Sequence, residues 1–196
     1  MTGTPEPLVW PFPMPSERVR EAVWNVVIAE EGTEEEKDRL GPAEDLPRPW
    51  DIASCSDAAL RTDVWEWYEA FVNWFNHEYV WDPAAGMIPP CWPRHPHLIH
   101  EIGVLADQRR IIATATNSNS LEEWQRLIVP DFLQRMQDRI KQHCDDQHQP
   151  WPARARFARH GTGSKARVND IDQDVGLTCA QPAASENEGR SACPPS

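Results

Sequence analysis

The sequence predicts an all-α protein: a small helical bundle with a proline-rich N-terminal arm and a disordered C-terminal tail. Three observations predict it. Between residues 57 and 145, apolar side chains recur at spacings of three and four, the period of a helix. Capping signatures and prolines divide that pattern into helix-length pieces. From 161 to 196 the chain is Gly, Ser, Ala, Pro, Asn and mixed charge, too poor in apolar surface to offset the entropy of ordering. A length of 196 residues suits one domain with long arms. No segment carries a convincing strand pattern or an internal repeat.

The elements follow in order. Residues 1–15 contain Pro5, Pro7, Pro11, Pro13 and Pro15, each fixing its own φ and turning its predecessor away from α. The arm is therefore extended, near polyproline II, with Trp10 and Phe12 as possible anchors. The 16–56 stretch holds a helix, a short charged helix and an irregular connection. Ser16 caps the first helix, which runs to about Glu30 with Val19, Val23, Val26 and Val27 on one side. Gly32 ends it, and Thr33-Glu34-Glu35-Glu36 is a capping box opening the charged helix to Leu40. The core domain is 57–145. Its first helix, from Asp57 to Trp81, has apolar residues at 65, 68, 72, 75 and 79 and again at 64, 67, 71 and 74, a wide aromatic face. Asp82 to Gly86 breaks it, and the stretch from Met87 to Pro96 is a rigid crossing loop. Pro96 suits the first turn of the next helix, with His95 at the cap. That helix reaches about Ala115 with Leu98, Ile102, Leu105 and Ile112 on one side. Val104 and Ile111 on another side predict a second neighbour. Ser120-Leu121-Glu122-Glu123 has the form of a second capping box, and Pro130 should kink or restart a last helix ending near His143. Residues 146–160 are a basic, proline-containing linker and 161–196 the tail.

The charge excludes several roles. The chain carries a net charge of −12, and the core domain is itself acidic, with 13 acidic against 8 basic side chains over 57–145. A surface built for nucleic acid or anionic lipid concentrates cations instead. No run approaches the roughly 18–20 apolar residues of a membrane span. The first residues have neither the basic nor the apolar part of a signal peptide. Five Cys, at 55, 91, 144, 179 and 193, form no Cys-x-x-Cys pair, which fits a reducing cytoplasm better than a disulfide scaffold.

Candidate chemistry is sparse. Cys91, His95, His97 and His100 are the ligand types zinc prefers, but their spacing matches no zinc signature, and a helix starting at Pro96 turns both His97 and His100 off the Leu98 stripe, towards solvent or a second neighbour. The cluster His143-Cys144-Asp145-Asp146-Gln147-His148 suits a solvated helix end better than an ion site. Arg109 falls about 20° from Leu98 on the helical wheel, inside the apolar stripe. It is either an anion clamp or a stem packed along that face with its head at the edge or on a carboxylate. Arg154, Arg156, Arg159, Lys165 and Arg167, interleaved with Phe157, resemble a phosphate-tracking arm or a basic linker balancing an acidic body. No nucleophile motif or dinucleotide fingerprint occurs, so neither an enzyme nor a cofactor is expected. Ten Trp is a heavy load, and Trp67, Trp74, Trp81 and Trp92 are the expected interaction surface, since such a small core cannot bury every indole.

The run from Trp74 to Tyr79, the Ile88-Pro89-Pro90-Cys91-Trp92-Pro93-Arg94-His95-Pro96 loop, the following helix and Trp124 together resemble an uncharacterised family. Its members are small helical proteins of actinobacteria and of their plasmids, conjugative elements or phages. The resemblance spans about residues 60–140. It implies an accessory, protein-binding role within a mobile element and no catalytic residues.

Overall fold

A computed structural model describes residues 7–80 and 86–140. All regular structure among them is helical. Helix α1 is Glu17–Glu31, α2 Glu34–Leu40, α3 Ala58–Tyr79, α4 Pro96–Ala113, α5 Asn119–Glu123 and α6 Val129–Ile140, with short 3₁₀ turns at Ala43–Asp45, Ile52–Ser54 and Trp92–Arg94. No helix among the described residues is long and apolar enough to cross a membrane.

Local chemistry sets most boundaries. The Ser16 side chain accepts the Val19 N–H at the start of α1. The Thr33–Glu36 capping box forms in both directions. Asp57 accepts the Leu60 N–H and starts α3. Helix α3 is the axis of the bundle, with Val64, Tyr68, Phe71 and Phe75 fully buried. Val19, Val23 and Val26 of α1, Leu98 and Ile102 of α4, and Phe132 of α6 complete the core. Phe132 meets Phe75 edge-on, with ring centroids 5.7 Å apart.

The crossing loop is fixed to α3 by side chains that substitute for a backbone partner. Asn76 accepts the Ile88 N–H at 2.9 Å and donates to the Ile88 carbonyl at 3.0 Å. Trp92, fully buried, donates its indole N–H to Glu69 at 3.3 Å and lies 5.5 Å from the Trp65 ring. Gly86, at φ 143, occupies backbone space that other L-residues rarely adopt.

Three expectations need correction. The second capping box does not form, because Asn117 accepts the Asn119 N–H and admits the chain to α5 two residues early, behind Ser118, whose side chain caps nothing. At Pro130 the helix restarts as expected: α6 begins at Val129, joined to α5 by a π-helical turn at Trp124–Ile128. His95 holds the cap position of α4, but its side chain makes no cap bond. Val104 and Ile111 stand 45% and 53% exposed, and the second neighbour of α4, helix α6, is met through Glu101 paired with Arg135 and Arg139 instead. Trp81 to Ala85, the His143–His148 cluster, the 146–160 linker and the 161–196 tail lie outside the described residues.

Candidate functional site

The N-terminal arm lies against α3, and an aromatic groove there holds it. From Trp10 to Pro15 the arm has no helix or turn. Trp67 donates its indole N–H to the Pro13 carbonyl at 3.1 Å, and Trp74 donates to the Trp10 carbonyl at 3.1 Å. These two donors are seven residues apart, about 10.5 Å along a helix and nearly on one line. Their acceptors are three residues apart, one turn or about 9.3 Å of polyproline II. The two repeats match, and the arm runs antiparallel to α3.

Ring contacts fill the space between those hydrogen bonds. The Trp10 ring stacks on His77, 3.8 Å between centroids and 7° from parallel. Phe12 points edge-on at Trp74, 5.2 Å away, and at Phe71, 6.4 Å away. Arg109 of α4 covers the other side, its guanidinium carbon 5.2 Å from the Phe12 ring and 5.4 Å from the Trp74 ring. Cation–π attraction thus occupies Arg109, whose Nε is buried without a hydrogen-bond partner. The Trp10 N–H donates to Glu78 at 2.8 Å, and this bond, outweighing partial burial, holds the Glu78 carboxyl below the usual glutamate range with help from His77. Where the arm enters α1, Asp63 accepts from Ser16 at 2.7 Å and pairs with Arg18 at 2.8 Å.

This arrangement revises the expected surface. Trp67, Trp74 and Trp92 are at most 5% exposed, because the arm and the crossing loop cover them. Trp67 and Trp74 act as donors to a docked chain, not as bare faces, and Trp92 is a core residue. Trp81 is outside the described residues. The exposed indole among the described residues is Trp24 on α1, 61% open. Sequence reasoning missed His77, Glu78 and the cation–π position of Arg109. The seven-residue spacing of Trp67, Trp74 and Trp81, set beside the three-residue spacing of arm carbonyls, was the signal that could have found the groove.

The cysteine–histidine group divides. Cys91 Sγ lies 3.4 Å from His95 Nε2, His97 turns its ring edge-on to His95, and His100 faces Asp51 at 3.8 Å on a different side. Among the described residues no three His, Cys, Asp or Glu side chains converge as a metal site. Arg154, Arg156, Arg159, Lys165 and Arg167 fall outside the described residues. A shallow cleft of about 380 Å³ opens between α4 and α6, lined by Val104, Leu105, Ile128 and Arg135 among others. Glu101 also lines it and pairs with both Arg135 and Arg139.

No family model, curated protein or solved structure matches the chain.

Proposed function

We propose that the protein is a non-enzymatic, cytoplasmic protein-interaction module, an accessory factor of the kind its actinobacterial and mobile-element resemblance implies. One observation carries this reading: two indole donors on α3 meet backbone carbonyls one polyproline turn apart, and aromatic sites flank them. Proline-rich segments are commonly bound this way, since a stiff extended chain loses little entropy on docking and presents its carbonyls outward. The acidic body disfavours nucleic acid as the partner of the folded part.

The test replaces Trp67 and Trp74 by Phe, which keeps a ring and removes the N–H. Hydrogen exchange at the Trp10 amide reports whether the arm is still held, because that amide bonds Glu78 only when the arm is docked. Faster exchange in a variant with normal helical signal supports the reading. Unchanged exchange rejects it.

A further inference from the structure

The groove's hydrogen bonds to the arm engage the Trp10 N–H, the Trp10 carbonyl and the Pro13 carbonyl, all backbone groups that any extended chain offers. Selectivity comes from two ring sites: the His77 face, which takes Trp10, and the corner of Phe71, Trp74 and Arg109, which takes Phe12. These sites are two residues apart on the arm, and Pro11 and Pro13 keep the chain extended around them. At its far end the arm joins the body through Ser16 and α1 alone, held on Asp63.

We infer that the α3 groove binds, in trans, an extended proline-rich segment of another protein with the pattern aromatic-Pro-aromatic-Pro, and that the protein's own arm is the resident competitor for that site. The inference rests on the interaction-module reading and adds the partner's chemistry and a regulatory consequence. A short tether gives the arm an effective concentration of about millimolar, so a free segment of equal affinity leaves the intact protein mostly closed. A partner opens it by presenting a longer or better-fitting segment, or at high local concentration. Arg109 adds a preference for an aromatic ring over an aliphatic side chain at the Phe12 position, because only a ring offers a π face to the guanidinium.

The experiment uses a fluorescent peptide with the sequence of Pro7 to Ser16, titrated by anisotropy into three full-length proteins. These are the wild type, Trp10→Ala/Phe12→Ala, whose arm has lost both ring anchors, and that variant with Trp67→Phe/Trp74→Phe added. The expected result is saturable binding to the arm variant at least about tenfold tighter than to wild type, as removal of a tethered competitor requires. Loss of the two indole hydrogen bonds should weaken it about thirtyfold. A peptide with Ala at the Phe12 position should not compete. If the double arm variant melts early, Trp10→Ala alone serves, since Phe12 still packs the groove. No saturable binding to a folded arm variant would overturn the inference, as would binding indifferent to the two indole N–H groups. If the Trp10 amide is released by Trp67→Phe/Trp74→Phe while the peptide fails to bind, the trans partner is rejected and the module reading stands; if the amide is not released and the peptide does not bind, both fall.

Discussion

Gly103→Ala strikes the junction of α3, α4 and the connection that precedes α3. A Cβ at Gly103 falls 2.6 Å from the Trp50 carbonyl oxygen and 2.7 Å from Tyr68 Cζ, and closer still to the Tyr68 hydroxyl. Neither neighbour yields easily. Tyr68 is fully buried, and its hydroxyl donates to the Pro49 carbonyl at 2.6 Å. Burial also pushes its ionisation far above the ordinary tyrosine value, so the hydroxyl stays a neutral donor. Displacing the ring leaves buried polar groups unmet, at about 1–3 kcal/mol. Displacing the Pro49–Trp50 backbone adds overpacking of about 1–3 kcal/mol. Alanine's better helix propensity offsets about 1 kcal/mol. The expected loss is about 1–5 kcal/mol, or roughly 10 °C in melting temperature at the middle of that range for a domain of this size. Urea unfolding followed by helical signal measures it. Tyr68→Phe combined with Gly103→Ala should cost less than the two separate losses added, by about 1 kcal/mol, since the nearest clash is with the hydroxyl. A Gly103→Ala midpoint equal to wild type would refute the close approach.

Trp92→Ala should destabilise by about 3–5 kcal/mol, because a fully buried indole leaves a cavity beside Trp65 and its hydrogen bond to Glu69 is lost; a melt unchanged from wild type contradicts this. Glu78 has its carboxyl held low in the folded state, so its support for the arm is fully present above the unfolded glutamate value of about 4.3 and fades as pH falls through the lower folded value. Trp10 amide protection should therefore decline in acid, and Glu78→Gln should remove that dependence; an identical acid profile in both proteins argues against it. Excess chelator should leave the helical melt unmoved, because Cys91, His95, His97 and His100 do not converge. About one zinc per chain together with a chelator-induced drop in melting temperature contradicts that geometry.

The helices were legible because their boundary chemistry is local. Ser16, Thr33 with Glu36, Asp57 and Pro96 each mark a start through contacts within a few residues. Where competing local bonds exist, as at Asn117 against Ser120, the pattern alone chose the wrong cap. The π turn was hidden because Pro130 fixes a missing donor but not how the helix accommodates it. The site was half legible. Trp10 and Phe12 stood out as anchors, and the α3 indoles as a binding face. What composition cannot show is that the two belong to each other, since the arm and α3 are over fifty residues apart and their pairing is tertiary. Arg109 illustrates the same limit: the wheel placed it among apolar residues, and only the docked Phe12 ring explains its charge there.

The central claim, that two indoles on α3 hold an extended chain by its carbonyls, is tested most directly at the indole protons themselves. Hydrogen exchange of the Trp67 and Trp74 Nε1–H groups is compared, by nitrogen-resolved NMR, between the full chain and Trp10→Ala/Phe12→Ala. The Trp92 Nε1–H, bonded to Glu69 away from the arm, is the internal control. The account predicts slow exchange of all three in the full chain, and fast exchange of Trp67 and Trp74 but not Trp92 once the arm is loosened. Equal protection of Trp67 and Trp74 in both proteins would contradict it.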